Sequence, residues 1–262
     1  MRKADSPSFR VDHVLRIDTS PGNGRFTVLS NMIIGWRLDD RDLVDRTGKV
    51  RRVTVAIPPG SHVDRRVVHC ADGQIVAGLT DALSRSGEPD LPVLIGVHSH
   101  DAVRAQEYLP SSDSLYLAHA SLFVDRLRTW ANAEYGINTD RERSAMFGVS
   151  NGGAFAIGVA LQHPSRYSAA ISFSPPKLTQ HAVPDQGDGC PLIYVAVGDR
   201  GPEKQIRKHV LHLVRTLRRA NIGGTLAERT GEGHTLDFWL SEFPIAYRWW
   251  CESVPLRGSP PL

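Results

Sequence analysis

Gly148-Val-Ser150-Asn-Gly152 sets a serine between two glycines at the end of an apolar run, and Gly153 follows at once. A serine hydroxyl becomes a useful nucleophile only when a base takes its proton, and near neutral pH that base is most often a histidine. The histidine in turn needs an acid to fix its tautomer and stabilise its cation. The chain supplies serine, acid and histidine in that order. Among the eleven histidines, His234 is the base candidate, because it follows a strand pattern and sits in the glycine-rich Gly231-Glu-Gly-His234. Two acids compete for the third place. Asp199 ends an apolar run, whereas Glu203 falls in the first turn of the next helix, and either could instead be an acid that simply favours a helix start.

These groups need elements to hold them. Residues 143–147 read as the end of a buried strand and 154–161 as a buried helix closing near His163-Pro164. A serine at such a strand-to-helix turn exposes its hydroxyl beside helix N-terminal N–H groups, and glycines allow the close approach and unusual dihedrals this requires. One oxyanion donor is then the backbone amide of Asn151, directly after the serine. Further strands are expected at 26–36, 50–57, 66–71, 92–97, 167–173, 191–197 and 225–229. Helices are expected at 75–83, 113–135 and from about 202, with a closing helix through Trp250 and a loop between 97 and 112. In 113–135, Tyr116, Ala120, Phe123, Leu127, Trp130 and Ala131 recur at helical spacing. Strands alternating with helices imply a mainly parallel sheet covered on both faces, with reactive groups at the carboxyl ends of strands. Residues 1–24 form a polar lead-in, 25–254 a single catalytic domain and 255–262 a loose tail.

Several motifs together resemble the enterochelin-esterase/esterase-D-like family of α/β-hydrolases, which includes siderophore esterases, feruloyl esterases and antigen-85 mycolyltransferases. They are Gly148-Val-Ser-Asn-Gly-Gly-Ala-Phe155 with His163-Pro164, the Asp72-Gly73-Gln74 turn, Arg104-x-x-Glu107-Tyr108-x-Pro110, and Gly233-His234 with Phe238-Trp239. The likeness spans roughly residues 50–250. It implies an α/β-hydrolase fold without a large lid domain, the short 173–191 segment leaving little room for one. It carries the nucleophile onto Ser150 and the base onto His234. It favours Glu203 over Asp199, because the family's acid lies about thirty residues before the histidine. It also puts a second oxyanion amide at Gln74. Arg104, Glu107 and Tyr108 either line the pocket or form an Arg–Glu pair that pins a loop.

At 262 residues with a net charge of +3 and no Lys/Arg block, the chain gives no sign of binding nucleic acid. Cys70, Cys190 and Cys251 lack metal-ligand spacing and suit reduced thiols, and the first nine residues lack a secretory apolar core. No apolar run approaches a membrane span, so the expectation is a cytoplasmic protein with neither cofactor, metal nor membrane partner. The basic face of the helix after residue 202 reads as solvated. The reading is a serine carboxylic-ester hydrolase acting on a small-molecule ester. Its rivals are an acyltransferase with the same triad, a metal site at His98-Ser-His100-Asp101, and a non-catalytic binding module of the same fold.

Overall fold

A computed structural model describes residues 10–11, 35–100, 102–109, 114–178 and 189–256. Its strands are β1 (Arg10–Val11), β2 (Arg37–Val44), β3 (Val50–Ile57), β4 (Val67–Cys70), β5 (Val93–Val97), β6 (Ser144–Val149), β7 (Ala169–Phe173), β8 (Leu192–Val197) and β9 (Gly224–Glu228). They form one sheet in the order β1-β9-β8-β7-β6-β4-β5-β3-β2. All neighbours are parallel except β2 with β3 and β3 with β5. The expected mainly parallel sheet is therefore present.

Parallel strands with both faces covered must be apolar on both, and each central strand divides its side chains accordingly. In β8, Ile193, Val195 and Val197 join one core while Tyr194 and Ala196 join the other. The first core is covered by α3 (Ser114–Ser121), α4 (Leu127–Tyr135), α5 (Asn151–Gln162) and α6 (Glu203–Arg219). The second is covered by α1 (Val76–Ser86) and α7 (Leu236–Ser253). α5 is apolar all round and is buried from Gly152 to Leu161. α1 and α4 stop at Gly87 and Gly136, which take the left-handed conformation that closes a helix.

Two expectations need correction, and one strand went unread. The single helix at 113–135 is interrupted by a π-helical stretch, Leu122–Arg126, whose wider turn carries the consecutive buried residues Leu122, Phe123 and Val124. The loop after β5 contains a short helix, α2 (Arg104–Tyr108). β2, which the sequence pattern did not disclose, is an edge strand of Arg-Leu-Asp-Asp-Arg-Asp-Leu-Val with only Leu43 buried. Charge on an edge strand discourages pairing with other chains. Within the lead-in, β1 pairs in parallel with β9. The strand expected at 26–36 lies outside the described residues up to 34, as do Asp101, residues 179–188 and those beyond 256.

Candidate active site

β6, in the middle of the sheet, delivers Ser150 at its carboxyl end. Ser150 has φ 53° and ψ −126°, a strained conformation for a residue with a side chain. Its amide donates to the Phe173 carbonyl at 2.8 Å, tying the turn to β7. The surrounding glycines are required by contact. A Cβ on Gly152 would stand 2.6 Å from Asp72 Oδ2, and one on Gly153 would stand 2.6 Å from Ser172 Oγ. On Gly148 it would run into the Gly152 carbonyl. The helix start is thus pressed onto the strand ends.

The structure brings Ser150, His234 and Glu203 together. His234 Nε2 lies 3.2 Å from Ser150 Oγ, and His234 Nδ1 lies 2.6 Å from Glu203 Oε1. Glu203 is fully buried at the start of α6, and its other oxygen accepts the Gly198 amide at 2.9 Å. Burial alone would raise this carboxyl. The hydrogen bonds from His234, Ser174 and Gly198 outweigh burial and hold it below its ordinary value. A carboxylate that stays ionised next to Nδ1 favours the tautomer in which Nε2 faces the serine as acceptor.

Asp199 is not beside His234. Its carboxylate accepts the Gly231 amide at 2.8 Å, and its own amide donates to the Glu232 carbonyl. An acid at the end of β8 therefore staples the loop that carries His234, which its sequence position could not separate from direct contact with the ring.

Asn151 and Gln74 follow the adjacent parallel strands β6 and β4, so their turns lie side by side at the carboxyl edge. Among the described residues, neither backbone amide has a hydrogen-bond acceptor. The Gln74 side chain is engaged elsewhere: its Nε2 donates to Ser99 Oγ at 2.6 Å, and its Oε1 accepts the Ser99 amide. This fastens the loop after β5 to the turn after β4.

Of the two readings of Arg104, Glu107 and Tyr108, the Arg104–Glu107 pair is not formed. Arg104 instead makes a two-pronged contact with Asp72, at 2.9 and 2.8 Å, and reaches the Val149 carbonyl next to Ser150. Glu107 pairs with Arg51 at 2.6 Å and Lys49 at 3.1 Å, away from the serine. The Tyr108 hydroxyl donates to the Ala71 carbonyl. The three residues brace the strand ends rather than forming one pair. Of the His98-Ser-His100-Asp101 group, His98 Nε2 contacts Thr54 Oγ1 at 2.8 Å. Among the described residues, no group of three or more His, Cys, Asp or Glu side chains is arranged to hold a metal.

Two neighbours of these three side chains were not singled out from the sequence for this position. Ser174, buried with φ 51°, hydrogen-bonds to Glu203 and accepts the Trp239 indole N–H at 3.0 Å. Trp239 also packs edge-on against the His234 ring, with centroids 4.8 Å apart. The available signal was Trp239 five residues after His234, which fits a helix folding back over its own entry loop. Chemically, a hydroxyl, an imidazole and a buried carboxylate in this sequence of contacts can pass a proton away from the oxygen while it attacks an electrophilic carbonyl.

A mainly parallel sheet, helices on both faces and a serine on a strained strand-to-helix turn define an α/β-hydrolase fold. The chain belongs to the Esterase family, whose model, described as "Putative esterase", matches residues 45–239. Solved structures similar to it include a ferulic acid esterase at 16% identity and TM-score 0.66, with 82% of this chain and 99% of that one covered. The enterobactin esterase of Shigella flexneri matches at 19% identity and TM-score 0.67, over 83% of this chain and 60% of that one. A siderophore hydrolase of Aspergillus nidulans matches at 15% identity and TM-score 0.64, over 88% and 98%. No curated protein matches the chain in sequence. The family makes the protein a carboxylic-ester hydrolase.

Proposed function

We propose that the protein hydrolyses a small-molecule carboxylic ester through Ser150, His234 and Glu203. The carrying observation is the continuous contact from Ser150 Oγ through the imidazole to the buried Glu203 carboxylate, at 3.2 and 2.6 Å. Ser150 Oγ attacks the ester carbonyl while His234 Nε2 takes its proton. Glu203 holds the Nδ1 proton and stabilises the imidazolium. The carbonyl oxygen, now an oxyanion, is received by the Asn151 and Gln74 amides, and each such donor commonly lowers the barrier by roughly 3 kcal/mol. His234 returns the proton to the departing alcohol oxygen as the C–O bond breaks, leaving an acyl-serine. Water then attacks the acyl group with His234 again as base, which releases the acid and restores Ser150.

The test is labelling by a fluorophosphonate read as intact mass, with hydrolysis of a short-chain aryl ester measured in parallel. A single adduct is expected on the wild type and none on Ser150→Ala. Ser150→Ala and His234→Ala should each lower kcat by several orders of magnitude. An adduct that persists in Ser150→Ala, or turnover retained in either variant, removes the mechanism.

A further inference from the structure

The charge of the chain is concentrated on one helix. α6 carries six lysines and arginines against the single acid Glu203, so the remaining residues hold 25 cations and 27 anions. A molecule of net +3 is thus a slightly acidic body, at −2, bearing a helix of +5. The six cations are all exposed: Lys204, Arg207, Lys208, Arg215, Arg218 and Arg219. At about 100° per residue they occupy an arc of roughly 120°, on the side away from the buried Val210, Leu213, Val214 and Leu217. From Lys204 to Arg219 the row is about 22 Å long. Arg207 meets Glu228, but among the described residues no carboxylate lies within ion-pair distance of Lys204, Lys208, Arg215 or Arg219. Cations three and four apart on a helix repel one another, and a face that was merely solvated would more usually intersperse acids.

We propose that this face of α6 docks the protein on an anionic lipid bilayer. A flat charged surface suits a straight row on a helix whose other side is fixed to the sheet. Four to eight basic side chains on an amphipathic helix are the usual footprint of such binding. A nucleic acid fits the face less well: the row holds no aromatic side chain for a base to stack on. An acidic protein would want a central apolar anchor, and none of the exposed large apolar residues among those described falls on α6. Attraction to a charged plane needs neither. Lying on a membrane makes no demand for a spanning helix, and among the described residues no helix is long and apolar enough to cross one. Because α6 begins at Glu203, docking would hold the reactive edge of the sheet near the bilayer without involving Ser150 or His234.

The experiment is co-sedimentation of the whole protein with phosphatidylglycerol/phosphatidylcholine vesicles and with pure phosphatidylcholine vesicles, at low and at 0.5 M salt. Binding to the anionic vesicles alone, lost at high salt, is expected. The variant Lys208→Glu/Arg215→Glu/Arg219→Glu should bind at least about tenfold more weakly, while its turnover of a soluble ester stays at the wild-type level. The neutral variant Lys208→Gln/Arg215→Gln/Arg219→Gln should bind with intermediate strength, which keeps the comparison available if the reversed charges disturb folding. Absence of vesicle binding, or binding unchanged in the neutral variant, overturns the proposal. So does tighter binding of duplex DNA than of anionic vesicles at the same salt. None of these readouts depends on the ester-hydrolase mechanism, so either reading can fail alone.

Discussion

At the level of single residues, the site separates two acids that look alike in sequence. Glu203 touches His234 Nδ1, while Asp199 holds the Gly231 amide. Glu203→Gln keeps the shape of the side chain but removes the charge that stabilises the imidazolium in the proposed mechanism, and should lower kcat by roughly 10²–10⁴-fold. Asp199→Asn retains an oxygen for the Gly231 amide and should cost less than about tenfold. Steady-state kinetics of the two variants decide the matter, and equal losses would refute this division of labour. Ser174 offers a further test because its hydroxyl helps hold Glu203 while its backbone sits at φ 51°. Ser174→Gly removes the hydroxyl and relieves the strain together. A fall in kcat with little change in KM, and with no fall in Tm, is expected. A drop in Tm that tracks the lost activity would instead make Ser174 a packing residue.

The elements that hold these residues were unequally legible. The central strands and α5 announced themselves as continuous apolar runs, because a parallel sheet covered on both faces leaves no polar side. β2 did not, because an edge strand with one buried residue has almost no apolar period, and α2 is too short to show one. The resemblance drew Asp72, Gly73 and Arg104 to notice, but their arrangement needed coordinates: Arg104 lies 32 positions from Asp72 in sequence and yet grips it beneath the serine turn. That grip also explains Gly152, whose absent Cβ leaves room for Asp72 Oδ2. Gly152→Ala should push the carboxylate off Arg104, destabilise the fold by roughly 1–3 kcal/mol and lower kcat. Gly233→Ala, which meets nothing nearer than 3.8 Å, should leave stability nearly unchanged. Urea midpoints for the two variants make the comparison, and equal shifts would mean that the close approach at Gly152 has little weight.

Across the whole molecule, stability should depend on pH for a reason lodged in the core rather than at the site. His69 and His119 are fully buried; among the described residues neither ring nitrogen of His119 has a hydrogen-bond partner, and at His69 the Ala145 backbone offsets burial only in part. Burial pushes both well below their ordinary 6.5, to about 3; nearby Arg128 adds to the effect at His69. At His119, Arg51 and Lys49 push the same way, while Glu107 and Asp45 pull against them. The folded protein keeps both rings neutral, whereas the unfolded chain takes up protons below about pH 6.5. Their effect on stability is therefore complete above that pH and declines as the pH falls toward 3, by up to about 1.4 kcal/mol per unit for each ring. The carboxylates of the Glu107–Arg51 cluster add an acid loss of their own only nearer their ordinary range, since Glu107, although burial opposes it, is held below that range by Arg51. Between pH 7 and 5 the histidines should dominate. His119 sits among Tyr108, Phe123 and Phe155, with ring centroids 5.0–5.2 Å away, so His119→Phe should be accepted by the cluster. Thermal unfolding at pH 7 and pH 5 should then show a smaller drop in Tm for His119→Phe than for the wild type, and equal drops would place the acid sensitivity elsewhere.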